Sequence, residues 1–150
     1  WLEQALRLHG VLPQQLHLEI VETALLEEVE LARRVFGDLR RLGVKVSLDD
    51  FGVGYSSLNY LTQYPIDTLK IDRSFVARAT EVMQVAAVVR AIAALAHELN
   101  IDVVAEGVET QEQLDFVREA GCGYAQGFFL SEPLHADEID RLLSAATVPP

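Results

Sequence analysis

The sequence predicts an α/β fold in which parallel strands alternate with helices. Three observations carry that prediction. Five short runs of apolar or β-branched residues recur along the chain, separated by stretches of helical periodicity. A polar residue stands at or near the C-terminal end of each run, at Glu19, Asp49 with Asp50, Lys70, Glu106 and Gln126. The chain has 150 residues, half of them apolar, which suits one core-forming domain.

The elements follow in order. Residues 1–8 read as the end of a helix. Leu16 to Ile20 reads as a short strand. A helix follows, with Leu25, Val29, Ala32, Phe36 and Leu39 stepping by four and three. Its acids Glu27, Glu28 and Glu30 come early and its arginines late, as the helix dipole prefers, and Gly43 ends it. Val44 to Leu48 is the next strand and runs into a loop, Asp49-Asp50-Phe51-Gly52-Val53-Gly54. Ser56 or Ser57 is placed to cap a short helix through Leu61, which stops before Pro65.

The pattern then repeats. Thr68 to Ile71 is a strand, and Val85, Val88, Val89, Ile92, Leu95 and Leu99 mark a long helix ending at Asn100. Asp102 to Ala105 is a strand. Thr110 and Gln113 form a capping box for a helix that Gly121 ends. Tyr124 to Leu130 reads as the last strand, and Ile139, Leu142 and Leu143 mark a last helix. No Gly-x-Gly-x-x-Gly follows the first strand, so the dinucleotide fingerprint is absent. An open doubly wound sheet and part of a (β/α) barrel both satisfy this pattern. A closed eight-unit barrel needs about 250 residues, roughly 100 more than are present.

Composition narrows the function. Acids number 23 against 12 bases, a formal charge of −11. With no basic patch, a DNA or RNA polymer is an unfavourable partner. No stretch reads as a membrane span or signal peptide. The chain opens at Trp1 without Met, which suggests a piece of something longer. Cys122 is the single cysteine, in keeping with a reducing, cytoplasmic setting, and the four histidines show no zinc-ligand spacing.

The strand-end residues carry the chemistry. Their successive spacings of 30, 21, 36 and 20 residues each suit about one βα unit. In a parallel barrel such ends converge on one face. Four carboxylates and one amine gathered there cannot stay ionised and unpaired without a large penalty. Mg²⁺ or Mn²⁺ would resolve it, and Asp49-Asp50 could serve two metals that clamp a phosphoryl transfer. Any one of these acids alone would be an ordinary cap or turn residue. Cys122 reads as a packing residue, and Ser56 and Ser57 as helix caps. Physics alone leads to a metal-dependent hydrolase or lyase on a (β/α) scaffold.

A family resemblance adds to this reading. Leu18-Glu19-Ile20-Val21-Glu22, the run from Asp49 to Leu58 (DDFGVGYSSL), Leu69-Lys70-Ile71-Asp72, Ala105-Glu106-Gly107-Val108-Glu109 and Gln126-Gly127-Phe128 occur in this order. Together they resemble the EAL-domain family of cyclic-di-GMP phosphodiesterases, over nearly the whole chain. The resemblance implies a modified (β/α)8, TIM-like barrel, of which residues 1–150 would be the C-terminal portion. It implies hydrolysis of cyclic-di-GMP to linear pGpG with Mg²⁺ or Mn²⁺, through a water activated by two metals. It assigns Glu19, Asp49, Asp50 and Glu106 to the metals. Lys70 would orient or help deprotonate the attacking water and offset phosphate charge. Glu106 would bind metal or its water and so count with Lys70 and Gln126 as catalytic. Gln126 would stand near the metal-water cluster, and Glu22 would anchor the Asp50-to-Leu58 loop. Asp72 is a weaker candidate for substrate contact.

The departures matter as well. Val21 and Val53 stand where Thr is frequent, which keeps shape and loses a hydroxyl. The Glu-Ala-Leu motif and the Asn-bearing strand after it are not in this sequence, and each supplies a metal ligand in the family. The expectation is therefore weak metal binding and little hydrolysis by this chain alone. Open sheet edges predict a homodimer. Sensory or diguanylate cyclase (GGDEF) domains are expected upstream in a parent protein. The competing reading is a non-catalytic module that binds cyclic-di-GMP or dimerises in signalling.

Overall fold

The computed structural model describes residues 1–22, 29–53 and 59–146. Its elements are α1 (Leu2–Leu8), a 3-10 turn (Pro13–Gln15), β1 (His17–Val21), α2 (Val29–Leu42), β2 (Lys45–Phe51), α3 (Asn59–Gln63), β3 (Thr68–Ile71), α4 (Arg73–Ala79), α5 (Met83–Glu98), β4 (Asp102–Ala105), α6 (Gln111–Glu119), β5 (Tyr124–Ala125) and α7 (Ala136–Ala146).

The five strands are all parallel and lie side by side in chain order. A doubly wound sheet reverses its strand order at a switch point. This sheet has no such reversal, so each connection steps one place in the same direction, as in a (β/α) barrel. The barrel alternative is therefore the one the chain adopts. The sheet is not closed: among the described residues, β1 pairs only with β2 and β5 only with β4.

Burial explains why the strands hold their places. Val46, Leu48, Leu69, Ile71, Val103 and Ala105 are buried in the sheet and pack with Phe36, Leu39, Val76, Val89, Ala96 and Val117 from the helices. These residues form one core, to which α2, α4, α5 and α6 each contribute apolar side chains, while α7 is exposed along residues 136–144. Phe36 also stacks on Tyr64, with ring centroids 4.8 Å apart.

The predicted helix stops are present. Gly43 has φ +83 and its N–H bonds back to Arg40 O. Asn100 ends α5 at φ +56. Thr110 Oγ1 accepts from Gln113 N while Gln113 Oε1 accepts from Thr110 N, each at 3.2 Å, which completes the capping box.

Three elements differ from expectation. Between β3 and the long helix lies α4, which the sequence reading did not separate from its surroundings. Seven residues are too few for a clear helical period, and the helix starts because Asp72 Oδ1 accepts from Ser74 N. The last strand is only Tyr124–Ala125, not Tyr124 to Leu130. At Gly127 the chain lies so close to Val108 that a Cβ would stand 2.1 Å from Val108 O. Leu130 N and Ser131 N then both bond to Gly127 O, a turn in place of a strand. Finally, β2 does not stop at Leu48 but continues to Phe51. Ser56, Ser57, Gly54, Leu25, Glu27 and Glu28 lie outside the described residues.

Candidate active site

The continuation of β2 is the decisive local feature. Leu48 pairs with Leu69 and Phe51 with Ile71, so Asp49 and Asp50 together oppose the single residue Lys70. That is a β-bulge, and within it Asp50 takes a left-handed φ of +55. In a regular strand two successive side chains point to opposite faces. The bulge removes that alternation, so both carboxylates can serve one site. Asp tolerates the left-handed region better than most side chains, which suits this position to it.

Lys70 sits at the centre. It is buried on β3, and its Nζ lies 2.8 Å from Glu19 Oε1, 3.1 Å from Asp49 Oδ1 and 2.8 Å from Glu106 Oε1. One ammonium thus ties together carboxylates from β1, from β2 and from the residue after β4. Burial alone would lower the lysine pKa. Hydrogen bonding to Glu106, Glu19 and Asp49 outweighs it, and the amine is held protonated well above its ordinary range.

Asp49, Asp50 and Glu106 each bring a carboxylate oxygen into a cluster whose atoms all lie within 4.8 Å of one another. Asp49 Oδ1 is buried, and the contact that it makes among the described residues is the Lys70 ammonium at 3.1 Å. A buried carboxylate oxygen with a free lone pair, beside two further hard oxygen donors, fits a divalent cation such as Mg²⁺ or Mn²⁺. Four carboxylates against one ammonium leave three formal negative charges, which such ions would neutralise.

Glu22 is buried to 3% exposure just beyond β1. Its Oε2 accepts from Gly52 N at 3.2 Å, and its own N–H donates to Asp49 O at 3.2 Å. It therefore holds both ends of the segment that carries Asp50. Gln126 follows β5 directly. Its N–H bonds to Ala105 O and its carbonyl accepts from Val108 N, which sets it beside Glu106 in the backbone, with an exposed side chain. Asp72 lies two residues beyond Lys70 and caps α4 with Oδ1.

The structure thus brings Glu19, Asp49, Asp50, Lys70 and Glu106 together, and seats Glu22 and Gln126 at their margins. Sequence reasoning missed the bulge and the helix α4 behind the site. The adjacent Asp49-Asp50 pair inside a strand was the signal available for the bulge.

The family model described as the EAL domain matches residues 1–133. The chain belongs to the EAL-domain family.

Its relatives are longer. The bifunctional diguanylate cyclase/cyclic di-GMP phosphodiesterase MucR of Pseudomonas aeruginosa is 42% identical over 135 residues, covering 90% of this chain and 20% of MucR. The crystal structure of the EAL domain of Mycobacterium smegmatis DcpA superposes with a TM-score of 0.91 at 40% identity, over 99% of this chain and 66% of that one. A manganese and cyclic-di-GMP complex of Klebsiella pneumoniae BlrP1 matches with a TM-score of 0.82 at 36% identity, over 86% of this chain and 33% of that one. The chain spans about a fifth of the length of the curated relatives it matches.

Proposed function

We propose that this EAL-domain chain is the C-terminal portion of a metal-dependent phosphodiesterase that hydrolyses cyclic-di-GMP to linear pGpG. The observation that carries the reading is the cluster of Asp49, Asp50 and Glu106 oxygens within 4.8 Å, packed beside Lys70 at adjoining strand ends. Relatives that share this segment are named for that activity or are complexed with that ligand.

Asp49, Asp50 and Glu106 would hold Mg²⁺ or Mn²⁺, with Glu19 contributing from β1. Bound there, the cations would lower the pKa of water and stabilise charge on attacking and leaving oxygens. Lys70 holds the carboxylates in place and, as a fixed ammonium, offsets phosphate charge without giving up its proton near neutral pH. Glu22 keeps the Gly52 backbone, and with it Asp50, in register. Gln126 would meet the substrate side of the cluster from β5. Asp72 enters as a lesser substrate contact through its position beyond Lys70.

The same reading makes the segment bearing the Glu-Ala-Leu motif a necessary complement, so this chain alone binds metal weakly and turns over little. It also includes a homodimer. The outer edges of β1 and β5 carry no strand among the described residues, and Tyr124 on β5 and Phe128 just after it are more than half exposed. A cytoplasmic location, with sensory or diguanylate cyclase domains in the parent, completes it. No described helix is long and apolar enough to cross a membrane.

Chromatographic detection of pGpG, with the parent EAL domain and with this chain under Mn²⁺, tests the reaction. Release by the parent domain that disappears on Asp49→Asn supports it. Cyclic-di-GMP binding by the parent without any release would favour the non-catalytic module.

A further inference from the structure

We infer that helix α4 sets the spacing between Asp50 and Glu106, with Phe75 and Arg73 as positioning residues; the inference rests on the metal-site reading above. Asp50 lies at the bulged end of β2 and Glu106 just after β4, and beyond each the chain turns away from the sheet through a left-handed glycine. Gly52, two residues after Asp50, has φ +96, and Gly107, directly after Glu106, has φ +70. Both glycines present bare backbone to the same short helix. A Cβ at Gly52 would stand 3.0 Å from Phe75 Cε2 and 3.1 Å from Phe75 Cζ. A Cβ at Gly107 would stand 2.4 Å from Arg73 Cβ and 3.2 Å from Arg73 Cα. The first turn of α4 is therefore wedged between the two loops, in contact with each at the point where it leaves the sheet.

The wedge is continuous with the centre of the site. Lys70 pairs with Asp49 and Glu106, Ile71 O accepts from Glu106 N at 3.1 Å, Asp72 caps α4, Arg73 meets Gly107 and Phe75 meets Gly52. Lys70, Ile71, Arg73 and Phe75, all within six positions of the chain, thus touch the segments that bear Asp49, Asp50 and Glu106. Gly52 is tied from the opposite side by Glu22 Oε2, so the loop is held between a hydrogen bond and an aromatic ring. A ligand cluster keeps its geometry only when its supporting contacts are fixed, and loss of such a support weakens metal binding by about 10–100-fold.

The test compares the full chain with Phe75→Ala and Phe75→Leu, each confirmed as folded by circular dichroism. Two readouts are taken: the Mn²⁺ dissociation constant by titration, and hydrogen exchange of the Gly52 amide without metal. Phe75→Ala is expected to weaken Mn²⁺ binding by about tenfold or more. It is also expected to speed Gly52 exchange by about tenfold, as local opening becomes easier. Phe75→Leu restores most of both. A folded Phe75→Ala protein with unchanged Mn²⁺ affinity and unchanged Gly52 exchange, even with a lower melting temperature, overturns the inference. Should that variant not fold, Phe75→Val is read by the same two measurements and the same criterion. If the unsubstituted chain takes up no Mn²⁺, the Glu-Ala-Leu segment is needed to complete the site, the same titration is made on the parent EAL domain, and failure there is what overturns the metal-site reading; Gly52 exchange decides the role of α4 in either case.

Discussion

Lys70 Nζ and Glu106 Oε1 stand 2.8 Å apart across the β3–β4 boundary, with the lysine buried. The lysine serves Glu19 and Asp49 as well, so one amine compensates three acids from three strands or strand ends.

Replacing that amine exposes the repulsion it offsets. Lys70→Met should destabilise the metal-free chain by about 1–3 kcal/mol, less than breaking a fully buried pair costs because Glu19 is half exposed. Millimolar Mn²⁺ should recover part of the loss by neutralising the same oxygens. Melting curves with and without the ion check this. A Lys70→Met chain as stable as the original would mean the carboxylates need no compensation.

Asp49 and Glu19 should separate on metal binding. Asp49 supplies a buried oxygen beside the Lys70 ammonium and within the cluster formed with Asp50 and Glu106, and Glu19 sits exposed on the edge strand. Asp49→Asn is expected to weaken Mn²⁺ binding to this chain by at least about 100-fold, and Glu19→Gln by about tenfold, as for loss of a supporting group. Calorimetric titration of both variants gives the comparison, and equal losses would refute this ranking.

Two glycines should respond oppositely to alanine. Gly127 lies against the Val108 backbone, where a Cβ would come within 2.1 Å of the carbonyl oxygen. Gly127→Ala therefore forces main chain to move and should cost about 1–3 kcal/mol. Gly37 lies within α2 with nothing within 4 Å of a new Cβ. Gly37→Ala should stabilise by about 0.5–1 kcal/mol through the better helix propensity of alanine. Chemical denaturation of the two variants checks both signs.

Cys122 sets a pH signature. Burial pushes its thiol up to about 11 from an ordinary 9.0. The folded state therefore keeps this proton where the unfolded state has lost it. Below pH 9 the thiol contributes no pH dependence, and between 9 and 11 its contribution falls as pH rises. Melting temperatures of the original chain and Cys122→Ser should run parallel up to about pH 9 and converge or cross above it. Parallel curves to pH 11 would contradict the assignment. Alkylation of the folded protein by iodoacetamide at pH 8 should be slow for the same reason.

Local signals in the chain are strong wherever the physics is local. Strands Thr68–Ile71 and Asp102–Ala105 have the predicted ends, because β-branched runs bounded by turn residues leave little choice. The Thr110–Gln113 capping box formed as read, since both partners lie within one turn. Helix α4 was missed because seven residues carry too little periodicity. The end of β5 was misplaced because Gly127 turns on a contact with Val108, which is distant in sequence.

The sequence by itself determined that strands and helices alternate, that acids and one lysine recur at strand ends, and which family these motifs resemble. Those properties follow from side-chain periodicity and residue chemistry along the chain. Only the tertiary structure decided that the strands lie in unbroken chain order, that a bulge opposes Asp49 and Asp50 to Lys70, and that α4 wedges between their loop and Glu106. Strand order, register and close backbone approach are set by contacts between residues far apart in sequence. Such contacts form only when the core packs, so no local pattern encodes them alone.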